Sequence, residues 1–151
     1  MRASALFLLL AGCGGGGAQE ASSPGNNVAA AREVPPAHIP SAAELADMRA
    51  ASATLRLYYD HIGRGDYRAA WALREQRPGL AFETFAASFA GYADYHADVG
   101  TPSYPSESDG IVWIDAPVQT WGRQRSGAPF GSVGRVLLKR QAGTRDWKIA
   151  P

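Results

Sequence analysis

The sequence predicts an α+β domain: three N-terminal helices packed on a curved antiparallel sheet of three or four strands. Three observations predict it. From Leu45 to Phe89, apolar residues recur at three- and four-residue steps. After Gly100, Pro102 and Pro105 the period changes to two. Turn-forming stretches at Gly63 to Gly65, Pro78-Gly79, Ser126 to Pro129 and Ala142 to Asp146 cut the chain into pieces of helix or strand length. Helices and strands that come in blocks, rather than alternating, are the α+β pattern. A bent sheet with helices on one face makes a half-open cone.

Ser41-Ala42-Ala43-Glu44 opens the first helix as a capping box, with Ser41 at the N-cap and Glu44 three residues on. Leu45, Met48, Ser52, Leu55, Tyr59 and Ile62 then share one helical face, and Gly63 and Gly65 end it. Asp66 caps a second helix, from Tyr67 to about Gln76, which buries Tyr67, Ala70 and Trp71. Pro78-Gly79 breaks it. Phe82, Phe85, Ala86, Phe89 and Ala93 give a third helix an aromatic face.

A first strand is expected over His96 to Tyr104. Ile111 to Arg123 reads as a long strand, with Val112, Ile114, Ala116, Val118 and Thr120 on one face. Ile111, Trp113, Asp115, Gln119 and Trp121 take the other. Pro117 has no N–H to donate, which predicts an edge position or a bulge. Phe130 to Gln141 is the next strand, with Gly131 and Gly134 allowing a bend. Trp147-Lys148-Ile149 makes a short last strand.

The segment ahead of Ser41 has a different character. Arg2 and the apolar run Ala5 to Leu10 lead into Leu10-Ala11-Gly12-Cys13, which holds the single cysteine of the 151 residues. This arrangement resembles the lipobox of bacterial lipoproteins. The resemblance implies a signal peptide over residues 1–12, a diacylglycerol on the Cys13 sulfur, and acylation of the amine freed by cleavage. Gly rather than Asp at position 14 implies the outer membrane, with the domain facing the periplasm. The apolar run is too short to span a bilayer, which needs about 20 residues. The expected membrane link is therefore the lipid alone. Residues 13–40 hold four consecutive glycines, Ser22 to Asn27, Pro35-Pro36 and Pro40, with no apolar periodicity. Such a stretch cannot offset its own ordering entropy and reads as a tether with a reach of roughly 30 Å. The ordered domain is then 41–151.

The stretch Tyr58-Tyr59-Asp60-His61-Ile62-Gly63-Arg64-Gly65-Asp66-Tyr67-Arg68-Ala69-Ala70-Trp71-Ala72-Leu73 resembles the opening of a nuclear-transport-factor-2-like domain. Phe82-Glu83-Thr84-Phe85 and the ending Asp146-Trp147-Lys148-Ile149 are similar to its third helix and last strand. The resemblance covers residues 41–151. It implies the cone shared by ketosteroid isomerase, limonene epoxide hydrolase and the SnoaL polyketide cyclases. Enzymes of that kind work with an Asp, alone or paired, and a Tyr or Arg inside the cone.

Candidate chemistry in the residues is sparse. Asp66 is explained as a helix cap and Asp60 as part of a solvated rim. Asp115 is the only acid inside a long strand. If its face lines the cone, it is desolvated, as a general base requires. If its face points outward, it is an ordinary exposed carboxylate, and this second placement is favoured. His38, His61 and His96 have no metal-ligand spacing, so no metal and no cofactor are expected. Tyr59, Trp71, Phe85, Phe89, Tyr92 and Trp147 either line an apolar pocket or fill the core.

The formal net charge of +1 argues against bulk nucleic-acid binding. The charge is uneven, however. Residues 33–109 carry eleven acids and six bases, and residues 110–151 two acids and seven bases. The expected function is a lipid-anchored, non-catalytic binding or interaction module for a small apolar ligand or a protein. The alternatives are an isomerase, hydrolase or cyclase of the SnoaL or ketosteroid-isomerase type, and a homodimer through the open sheet face.

Overall fold

A computed structural model describes residues 38–79 and 81–151. The lipobox, Cys13 and the tether up to residue 37 lie outside the described residues. Helix α1 spans Ala42–Gly63. Ser41 Oγ accepts from the Glu44 N–H and Glu44 returns the bond to the Ser41 N–H, satisfying two orphan donors of the first turn. Ala51, Leu55, Tyr58 and Ile62 are buried along one stripe. Helix α2 spans Tyr67–Ala72, with Asp66 Oδ1 accepting from the Ala69 N–H at 3.2 Å. Helix α3 spans Phe82–Ser88 and buries Phe85.

Strands β1 (Tyr92–Val99), β2 (Ser106–Ser108), β3 (Ile111–Gln124), β4 (Pro129–Gln141) and β5 (Lys148–Ile149) form one antiparallel sheet. β3 is central. β4 pairs along one edge of it from Ile111↔Gln141 to Arg123↔Pro129, while β1 and β2 share the other edge. β5 extends the sheet beyond β4, with Leu138 opposite Ile149. Val112, Ile114, Ala116 and Val118 are buried in strict alternation and meet Leu55, Tyr58, Ala70 and Phe85 of the helices. Leu138, Trp147 and Ile149 complete this core. Full burial of each large apolar side chain stabilises the fold by about 1.5–3 kcal/mol.

Three expectations are corrected. The second helix does not run to Gln76. It stops after Ala72 because the backbone beyond it pairs with the last strand: Ile149 N–H donates to the Leu73 carbonyl and Glu75 N–H to the Ile149 carbonyl, each at 2.9 Å. Ala93 is not helical. Phe89 closes α3, and the chain enters β1 at Tyr92, four residues ahead of the expected start, leaving the sheet after Val99 rather than at Tyr104. Pro117 is neither on an edge strand nor in a bulge, since the β3–β4 register runs through it unbroken. Its missing donor faces the place where β1 has ended: the Gly100 N–H donates to the Pro117 carbonyl at 2.9 Å, and β2 pairs only from Trp113 onward. The proline thus forgoes only the reciprocal bond to Gly100, just past the end of the β1 ladder.

Candidate functional site

α1 and β1 bring two tyrosines face to face on the concave side of the sheet. Tyr59 follows the buried Tyr58 on α1. Tyr95 points inward from β1, where it stands opposite Gly122 of β3. The two rings lie 6.3 Å apart with planes 5° from parallel. Gly63 permits the approach, because a Cβ there would sit 2.9 Å from the Tyr95 carbonyl oxygen. Burial pushes both phenols above the ordinary tyrosine range, and for Tyr59 the proximity of Tyr95 and Tyr58 adds to the effect. Both are therefore neutral hydroxyls at physiological pH, able to donate.

This pair forms a shared wall between two cavities. The inner one, about 210 Å³, is floored by Val118, Thr120, Ser132, Gly134 and Val136, with Arg135 at its margin. The outer one, about 410 Å³, opens between α1 and β1 and has a charged rim of Arg56, Asp60, Arg64, His96 and Asp98. There Arg64 pairs with Asp60 at 2.8 Å, and His96 stacks on Trp121 with centroids 5.8 Å apart. The inner cavity presents four hydroxyls and two aromatic rings, and no carboxylate or imidazole is among its described lining residues.

Asp115 lies on the opposite face of the sheet. Its Oδ2 accepts from Arg135 Nε at 2.6 Å, and Oδ1 is buried without a hydrogen-bond partner. Ser103 fixes its backbone by accepting from the Asp115 N–H with Oγ and donating its own N–H to the Asp115 carbonyl. Asp94 is also engaged, with Oδ1 accepting from the Arg123 N–H at 2.6 Å. Ser41 and Asp66 stand at helix N-termini as caps.

Of the aromatic residues singled out in the sequence, Tyr59 lines both cavities. Phe89 and Tyr92 line a third cavity of about 220 Å³ with Tyr67 and Tyr95. Trp71, Phe85 and Trp147 border none of these cavities. Trp71 and Phe85 pack ring against ring at 5.1 Å, and Trp147 lies buried beneath the Arg140 guanidinium. Sequence reasoning missed Tyr95 and Ser132. Tyr95 sits just ahead of the expected strand start. Ser132 lies in a stretch whose apolar alternation is broken by glycines.

Neither a family model nor a curated protein matches the chain. Solved structures do. The chain is similar to a nuclear transport factor 2-like superfamily protein from Salmonella enterica serovar Typhimurium, with a TM-score of 0.55 and 10% identity over 70% of this chain and 87% of that one. It is similar to a candidate scytalone dehydratase from Novosphingobium aromaticivorans, with a TM-score of 0.54 and 12% identity over 70% of this chain and 80% of that one. It is similar also to the association domain of CaMKII from C. elegans, with a TM-score of 0.53 and 13% identity over 72% of this chain and 95% of that one. Identities this low carry the fold alone, and the fold is the nuclear-transport-factor-2-like one: three helices on a curled antiparallel sheet.

Proposed function

We propose that this chain is a lipid-anchored binding or interaction module of the bacterial cell envelope, with its ligand site in the concave cavity at Tyr59 and Tyr95. The observation that carries the reading is that no carboxylate is among the described lining residues of the inner cavity, Asp60 and Asp98 standing on the rim of the outer one. A general base must lie within hydrogen-bond reach of the substrate proton it removes. Here Asp66 caps a helix, Asp94 holds the Arg123 N–H, and Asp115 is paired with Arg135 on the far face. What remains in the cavity suits recognition: two flat rings for an apolar body and hydroxyls to orient it. The Leu-Ala-Gly-Cys setting of Cys13 supports lipidation there, and with it the outer membrane as the proposed location. The test is turnover. Reproducible hydrolysis or isomerisation by residues 41–151, abolished in Asp115→Asn, would contradict the non-catalytic reading. It would favour the enzymatic one, which the likeness to a candidate dehydratase supports.

A second reading concerns assembly and is favoured by the outer sheet face. Trp121, Leu137 and Val133 are 38%, 42% and 78% exposed there, a large apolar surface for one side of a sheet. A homodimer through this face would cover them, and the likeness to an association domain supports it. A monomer at micromolar concentration by light scattering would contradict this reading.

A further inference from the structure

A further cavity, of about 420 Å³, lies along the N-terminal half of α1, where α1 meets the segment that follows β1. Its apolar lining includes Leu45, Met48 and Pro102, and Arg49 and Arg56 stand beside them. These two arginines are seven residues apart, two helical turns or about 10.5 Å along the axis. Ser52, itself buried, lines the cavity between them.

The arginines are unusual in this molecule. Among the described residues, the other bases have partners, apart from Arg145 in a turn. Arg64, Arg77, Arg135, Lys139, Arg140 and Lys148 pair with carboxylates. Arg68 and Arg74 lie over aromatic rings, and Arg123 and Arg125 donate to backbone carbonyls. Arg49 and Arg56 make none of these contacts. The acids nearest them along α1 are engaged elsewhere: Asp60, four residues beyond Arg56, pairs with Arg64 at 2.8 Å. Glu44 is held by Ser41 and His38, and Asp47 accepts from Arg140 Nη2 at 2.7 Å. Among the described residues, then, two guanidinium groups without an ion-pair partner flank a trough that offers apolar surface at Leu45, Met48 and Pro102.

We propose that this trough binds an amphipathic carboxylate, its head group held between Arg49 and Arg56 above Ser52 and its tail laid along Leu45, Met48 and Pro102. A guanidinium matches a carboxylate with two parallel N–H···O bonds, and both donors line the same trough as Leu45, Met48 and Pro102, where an apolar tail finds its surface. The volume falls within the range of small-molecule sites. The site shares Arg56 with the outer cavity but no lining residue with the inner one floored by Thr120 and Ser132, so either assignment can fail without the other.

The experiment is a calorimetric titration of the full chain with octanoate, with octanol as the uncharged counterpart. The expected result is saturable one-to-one binding of octanoate, at least tenfold weaker for octanol and at least tenfold weaker in the Arg49→Ala/Arg56→Ala double variant. Both positions are exposed, so that variant keeps its fold, checked by an unchanged circular dichroism spectrum. Tyr95→Ala should leave octanoate affinity unchanged. No saturable binding at millimolar octanoate, equal affinity for octanol, or full affinity in the double variant would overturn the proposal. Loss of binding in Tyr95→Ala would do so as well, by moving the ligand to the tyrosine cavity.

Discussion

Gly122→Ala is expected to destabilise the domain by about 3 kcal/mol. Gly122 stands opposite Tyr95 in the β1–β3 ladder. A Cβ at that position would overlap the Asp94 carbonyl oxygen, and would lie 2.5 Å from Asp94 Oδ1 and 2.9 Å from Phe130 Cε1. The phenyl ring is packed against Tyr92 and Tyr95, and the carbonyl belongs to the paired strand. Relief requires β1 to move outward. Such overpacking costs about 1–3 kcal/mol. It also pulls Asp94 Oδ1 from the Arg123 N–H, a charge-assisted bond of about 1.5–3 kcal/mol. Against a total stability of about 5–15 kcal/mol this is a large share. At about 4 °C per kcal/mol it lowers Tm by about 12 °C. Urea unfolding followed by circular dichroism checks it, with a lower midpoint and an unchanged m-value. Gly131→Ala is the control, because its Cβ meets nothing closer than the Thr120 carbonyl at 3.8 Å. That variant should change stability by less than about 0.5 kcal/mol. If Gly122→Ala cost under about 1 kcal/mol, β1 would not be held against β3 as described, and the placement of Tyr95 on the concave face would fail with it.

Other outcomes follow from the same contacts. Asp66→Ala removes the cap of α2 and should cost about 1 kcal/mol in urea unfolding, with Asp66→Asn nearly neutral. The hydrogen bond from Lys139 holds the Glu75 carboxyl below the ordinary carboxylate range. The resulting stability is present above the unfolded-state value near 4.5 and is lost as pH falls through the lower folded-state value. Glu75→Gln should therefore be less stable than the parent at pH 7, and denaturant curves should show the gap narrowing as pH falls below about 4.5. Leu137→Glu places a charge in the middle of the exposed outer face and should convert any dimer to monomer in light scattering while leaving the circular dichroism spectrum that of a folded domain. Cys13→Ser should move the full chain from the membrane fraction to the soluble fraction while leaving the domain folded.

The parts of the fold that sequence reasoning recovered are those where one residue does one local job. Ser41 and Asp66 cap helices through their own side chains, and the alternation from Val112 to Thr120 marks the buried face of β3 without help from the rest of the chain. The parts it missed depend on distant partners. Arg74 and Glu75 leave the helix because Ile149 offers them a strand, some 75 residues further on. Ser106 to Ser108 carry no apolar signal, and they form β2 only because Val112 and its neighbours present an open edge. The site shows the same division. Asp115 was legible as a strand residue of the face opposite Val112, and its outward placement with Arg135 follows from that alternation. Tyr95 was not legible as a site residue, because its position depends on where α3 stops and on Gly63 and Gly122 letting two backbones close around it.

The central claim is that the concave cavity recognises a ligand through Tyr59 and Tyr95. Protein-detected NMR of the full chain titrated with 1-naphthol, a flat neutral aromatic alcohol, tests it most directly. Saturable shifts centred on Tyr59, Tyr95, Thr120 and Ser132 are expected, lost in Tyr95→Ala and unaffected by Arg49→Ala/Arg56→Ala. Shifts that never saturate, or that centre on residues outside the cavity, would contradict it.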